Sequence, residues 1–125
     1  MAIVEFMKNI DLLKLNSELE LFVKERDWDQ FHSVKNLTMA LSVECSELVE
    51  IFQWMTEEES NGVIQDQITI NKVQDEVADI FLYLMRILSK TNIDLESAVK
   101  SKMKKNAEKY PVALARGNSK KYSEF

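Results

Sequence analysis

KNLTMALSVECSELVEIFQW, residues 35–54, decides the architecture when set beside INKVQDEVADIFLYLMRIL, residues 70–88. In both stretches apolar side chains recur at three- and four-residue steps, the period of a helix with one buried face. At about 100° per residue, Leu37, Ala40, Leu41, Leu48 and Ile51 all fall within roughly 60° of Glu44. Glu44 therefore sits in the middle of an apolar stripe, with Glu47 at its edge one turn on. In the second stretch Val73, Ile80 and Ile87 fall within roughly 60° of Glu76, and Asp79 follows one turn later. A glutamate in a core-facing position is costly unless something compensates its charge. Four carboxylates brought together by two such helices would repel and need cations. Oxygen ligands without His or Cys suit Mg²⁺, or Mn²⁺, and Mg²⁺ normally keeps positions open for water and phosphate oxygens. In a chain with 21 acidic residues either pair alone also fits a solvated face. The central position of Glu44 favours the metal site. Glu50 falls on the far side of its helix and reads as solvent-facing or as an outer neighbour of that site.

Outward from these two helices the pattern stays helical. Residues 10–25 place Leu12, Leu15, Leu19, Phe22 and Val23 at helical steps, and residues 95–109 form a fourth helix with Asp94 positioned to cap it. Pro111 ends that helix, since the residue before a proline is pushed out of helical geometry. Only two glycines and one proline occur in 125 residues, too few for the turns of a sheet-rich fold or for a Gly-rich phosphate loop. The expected fold is all-α: an antiparallel bundle of about four helices in a single domain, 1–125, with 112–125 a C-terminal tail. The tail lacks periodicity and is expected to be disordered until something binds it. Thr56 to about Asp66, with Ser-Asn-Gly and three consecutive glutamates, reads as a solvated, mobile loop. Apolar residues beyond one stripe, such as Phe81 and Leu88, point to burial against a second copy, hence an oligomer.

The formal charge of −5 argues against nucleic-acid binding. The most apolar run, Ile80 to Leu88, is too short to span a bilayer and is interrupted by Arg86. The opening Met-Ala-Ile-Val-Glu-Phe-Met-Lys does not read as a signal peptide. With a lone cysteine, Cys45, which reads as core, a cytoplasmic protein is expected. His32 is the single histidine, so neither a His-rich metal site nor a di-iron site built from Glu-x-x-His pairs is available. Ser-His or Cys-His nucleophilic catalysis has little support either.

Three further features bear on ligands. Trp28 and Trp54 lie at helix boundaries, where an indole either stacks on a nucleobase or serves as an ordinary core aromatic. His32, four residues after Trp28, is placed to hydrogen-bond a base or phosphate, or is structural. Lys102, Asn106 and Lys109 share one face of the fourth helix, a source of donors for phosphate oxygens or a plain basic helix end.

Glu44-x-x-Glu47, 28 intervening residues, then Glu76-x-x-Asp79 resembles the signature of the all-α nucleoside triphosphate pyrophosphatases, the MazG-like superfamily. Residues 26–32 (RDWDQFH), 47–54 (ELVEIFQW), Ser101-Lys102-Met103, Tyr110-Pro111 and Lys120-Lys121-Tyr122 bring it closest to the dCTP pyrophosphatase branch. The likeness runs from about Asn16 to Phe125. It departs at Leu19, where that branch carries a substrate-contacting histidine. The resemblance implies helical dimers or tetramers that use Mg²⁺ to hydrolyse the α–β phosphoanhydride of dCTP or related deoxynucleotides, a nucleotide-pool housecleaning reaction. It implies Glu44, Glu47, Glu76 and Asp79 as metal ligands and Trp28, His32 and Trp54 as the base pocket. It also places Tyr83 near the substrate and Lys102 and Asn106 at the phosphates. Glu47 is the expected proton acceptor, with Glu44 its catalytic neighbour. The alternative is a non-enzymatic helical assembly module that binds metal or nucleotide without turnover.

Overall fold

The structure is a computed structural model that describes residues 9–125; the N-terminal stretch read above as no signal peptide lies outside them. Among the described residues it is helical throughout, without strands. Six α-helices run in order among the described residues: α1 Leu12–Glu25, α2 Val34–Phe52, α3 Glu57–Asn61, α4 Gln67–Thr91, α5 Leu95–Lys109 and α6 Val112–Ala115. The described residues divide into two compact units, the first ending at Thr91 and the second Asn92–Phe125.

The first unit is built on α2 and α4. They pack antiparallel: Glu47, Glu50 and Met55 share one cavity with Thr69, Lys72 and Glu76, while Glu44 shares another with Asp79, Tyr83 and Arg86. The helix starts are local chemistry. Ser33 accepts from the Asn36 amide at 3.1 Å to begin α2, and Asp11 accepts from the Lys14 amide at 3.0 Å to begin α1. At the end of α1 the Trp28 amide donates to the Val23 carbonyl at 3.0 Å and the Asp27 amide to Lys24 at 3.1 Å. Asp27 takes a φ of 53° to make this reversal. The paired bonds form a Schellman ending, and they turn Trp28 back against Phe22, edge-on at 5.7 Å between ring centres. α1 is tied to α4 by the Ser89 hydroxyl, which donates to Glu20 at 3.1 Å.

Among the described residues of this unit, Val23, Leu37 and Met85 are the buried apolar ones, and Arg86 is buried too. Leu37 is 1% exposed. Leu37→Ala is therefore expected to cost about 2–5 kcal/mol, read as a lowered denaturant midpoint with little change in slope. Cys45, expected in the core, is exposed. One residue on from Glu44 is a rotation of about 100°, enough to turn its side chain off the buried stripe.

One expectation of irregular chain is corrected. Residues 57–61 form α3, closed by a capping box in which Thr56 accepts from the Glu59 amide at 3.1 Å and the Thr56 amide donates to the Glu59 carboxylate at 3.3 Å. The glutamates that suggested solvated loop instead occupy a helical first turn, where the dipole favours acids. In the second unit, Asp94 caps α5 as expected, accepting from the Ser97 amide at 3.0 Å. The tail beyond it makes specific contacts. Tyr122 and Phe125 pack edge-on against Tyr110 at 6.0 and 5.9 Å, and Lys109 lies 4.8 Å above the Tyr122 ring.

Candidate active site

Antiparallel pairing of α2 and α4 brings the two acidic pairs together crosswise. Carboxylate oxygens of Glu44, Glu47 and Glu76 all lie within 4.8 Å of one another. Asp79, one turn beyond Glu76, stands on the aromatic side of the cluster and lines the same cavity as Glu44. One oxygen of Glu44 and one of Glu76 (Oε2 in each) are buried without a hydrogen-bond partner. Burial, then Glu47, Glu76 and Asp79 close by, push the Glu44 carboxyl up to about 7. Burial and Glu47 also push Glu76 upward, an effect partly offset by its contact with Glu44. Tyr83 is raised as well, by burial and then by the same carboxylates.

Crowded oxygens with two buried lone-pair atoms unsatisfied are what a hard divalent cation would satisfy. The donor set is all oxygen, with no sulfur or imidazole at the cluster, which suits Mg²⁺ or Mn²⁺ better than zinc or copper. These residues fit such an ion.

Two cavities flank the carboxylates. The first, of about 240 Å³, is walled by Phe22, Trp28, His32, Leu82 and Tyr83, with Glu44 and Asp79 at its acidic end. Leu19 also lines it, so the position at which the sequence departs from the dCTP pyrophosphatase branch lies in the pocket wall. The second cavity, about 670 Å³, is polar and more open, and Glu47, Glu50, Thr69, Lys72, Asp75 and Glu76 line it. The cluster thus lies between an aromatic pocket and a polar cleft. Glu50 faces that cleft, outside the cluster.

The structure brings together seven of the expected site residues: Glu44, Glu47, Glu76, Asp79, Trp28, His32 and Tyr83. Trp54 is not among those lining the aromatic cavity; it is 88% exposed in the turn after α2. Lys102 and Asn106 stand one turn apart on α5 in the second unit, both exposed. Sequence reading missed two basic residues. Lys72 lies one turn before Glu76 and supplies a cation to the polar cleft. Arg86 is buried behind His32, and its signal was a charge inside the apolar run Ile80 to Leu88.

A helical fold whose two central helices face paired carboxylates across a shared cluster defines a class, the all-α pyrophosphatase fold. A crystal structure of a pyrophosphatase from Archaeoglobus fulgidus superposes with a TM-score of 0.75 at 35% identity, covering 83% of this chain and 95% of that one. The MazG-like family model matches residues 39–125. The chain belongs to the MazG-like family. It is 40% identical over 115 residues to dCTP pyrophosphatase 1 of Homo sapiens and 39% identical over 115 residues to that of Rattus norvegicus. Those alignments take in 92% of this chain, which spans 66% of the length of these curated relatives.

Proposed function

We propose that this protein is a divalent-metal-dependent nucleotide pyrophosphohydrolase. In our reading it cleaves the α–β phosphoanhydride of dCTP or a related deoxynucleotide to the monophosphate and pyrophosphate. The observation that carries the reading is the carboxylate cluster with its two orphaned buried oxygens, set between an aromatic pocket of nucleobase size and an open polar cleft. The likeness to dCTP pyrophosphatases and to a solved pyrophosphatase supports the substrate class. A role in clearing the nucleotide pool and a cytoplasmic location belong to the same reading.

In this proposal Glu44, Glu47, Glu76 and Asp79 hold Mg²⁺, with Mn²⁺ as a substitute. The bound cation supplies charge stabilisation at the phosphate oxygens and acidifies water nearby. Glu47 accepts the proton of the water that attacks the α-phosphorus. The P–O bond to the β-phosphate breaks, and its electron pair leaves with pyrophosphate. Glu44, whose burial makes it hold a proton near neutrality, releases that proton when a cation occupies the cluster. Trp28 provides a stacking face for the base, with His32 and Tyr83 on the same wall. Trp54 is assigned to the base pocket, and Lys102 and Asn106 to the phosphate oxygens, from the resemblance alone.

The chain also exposes large apolar residues on all three long helices of the first unit. Leu13, Met39, Val49 and Ile68 are examples. Exposed apolar surface on that scale favours self-association. We propose a homodimer or homotetramer, and light scattering should return a mass of at least twice the 14.6 kDa of one chain.

The test of the function is pyrophosphate release from a panel of NTPs and dNTPs, with Mg²⁺ and with EDTA, following the monophosphate in parallel. Metal-dependent release with dCTP preferred is the expected result. Release from other bases would keep the reaction and discard the cytosine assignment. No release from any nucleotide would leave a metal- or nucleotide-binding assembly module.

A further inference from the structure

Arg86 is a charge placed where charge is expensive: it is 5% exposed, inside the packing of the first unit. Its guanidinium is held from both ends. One terminal nitrogen donates to the Asp29 carboxylate at 2.9 Å, and Nε donates to Nδ1 of His32 at 3.2 Å. Asp29 is shared, since Lys90 also donates to it at 2.6 Å. An arginine has donors and no acceptor, so the Nδ1 atom facing it must offer its lone pair. The ring proton is then left on Nε2, the other edge of an imidazole that lines the aromatic cavity.

We infer that Arg86 is a positioning residue that locks His32 in its neutral Nε2-protonated form, making it a fixed hydrogen-bond donor to an acceptor on the edge of a bound nucleobase, a carbonyl oxygen or a lone-pair nitrogen. The nucleobase rests on the function proposed above; the locked imidazole does not.

Burial, more than any single charge, keeps the ring neutral. From α4, Arg86 and Lys90 are cations and Asp79 an acid; Asp29 comes from the turn before α2, and Glu44 from α2. Tyr83 stands on the same cavity wall; α1 presents Leu19, Phe22 and Val23 to that cavity, and the charged Glu20 and Lys24 to the neighbouring one lined by Asp29, Arg86 and Lys90. Burial and the Arg86 charge hold the imidazole below its ordinary range, with Asp29 opposing. A neutral, singly oriented donor discriminates better than a titrating one. It accepts a ligand acceptor at that point and leaves a ligand donor facing another donor.

Because His32 is the sole histidine, histidine-detected long-range ¹H–¹⁵N spectra show a single imidazole. At pH 7.5 the expected wild-type spectrum has a protonated Nε2 and an unprotonated Nδ1. Arg86→Met should convert this to a mixture of tautomers, with Arg86→Lys restoring part of the bias. Asp29→Asn is the second variant, which keeps an oxygen acceptor for Arg86 at an exposed position, and it should shift the populations in the same direction. With dCTP and Mg²⁺ the KM of Arg86→Met should rise about tenfold, the loss of one well-placed hydrogen bond, while kcat falls less. A wild-type ring protonated on Nδ1 overturns the inference, and so does a tautomer unchanged in both Arg86→Met and Asp29→Asn. Absence of pyrophosphate release in the wild type overturns the function instead, because the tautomer is read without turnover.

Discussion

Replacing Glu44 or Glu76 with alanine is expected to lower metal-dependent pyrophosphate release by more than about 100-fold, with helix content unchanged by circular dichroism. The size follows from where the side chains lie. Each contributes an oxygen to a cluster spanning 4.8 Å, and each leaves one buried oxygen without a partner. A group buried in that way adds little to stability by itself and serves something it binds. Full activity in both variants would end the assignment of the cluster as the reaction centre. The same geometry sets the sign of a stability effect. Glu44 titrates near 7 in the folded chain, above its ordinary value of 4.5. The folded chain therefore holds that proton more tightly, and the stability it confers is fully present below about pH 4.5 and lost as pH rises through 7. In cation-free buffer at pH 8, Glu44→Gln should raise the melting temperature, since an uncompensated buried carboxylate becomes a neutral amide. Near pH 4 the two proteins should melt close together. A variant that melts lower than wild type at pH 8 would contradict the crowding argument.

The second large effect is removal of the cation. EDTA should abolish pyrophosphate release, and adding back Mg²⁺ or Mn²⁺ should restore it. At a concentration about 100 times its Kd a cation bound only by the folded state stabilises by about 2.7 kcal/mol. The gain should be larger at pH 8 than at pH 5.5, because protons compete for Glu44 at the lower pH. In Glu44→Gln the cation-dependent gain should shrink strongly, since an amide carries no charge to the ion. Melting curves with and without Mg²⁺ at the two pH values check all of this without a nucleotide. A wild-type curve indifferent to Mg²⁺ and Mn²⁺ at both pH values would remove the metal from the proposal.

Helical periodicity was legible because it is local. The long helices appear where the three- and four-residue steps placed them, with ends shifted by up to three residues: α4 runs from Gln67 to Thr91 against an expected 70–88. Asp94 was readable as a cap for the same reason, since a cap concerns a few neighbouring residues. The capping box at Thr56 was equally local and was overlooked beneath a run of charges. The tail's contacts were not readable, because Tyr122 and Phe125 pack against Tyr110, more than ten residues away, and periodicity carries no record of such contacts.

The sequence by itself determined that Glu44 lies on a buried stripe, since a helix of 3.6 residues per turn leaves it no other face. It likewise paired Glu44 with Glu47 and Glu76 with Asp79. Tertiary structure decided what those pairs meet. Only the antiparallel packing of α2 against α4 sets Glu44, Glu47 and Glu76 within reach of one ion and turns Asp79 toward the aromatic cavity. Arg86 shows the division most plainly. In the sequence it is a charge interrupting an apolar run; in the fold it is paired with Asp29 and His32, 57 and 54 residues earlier. The identity of a buried charge's partner is a property of the packed chain, because the desolvation cost exists only once packing has excluded water.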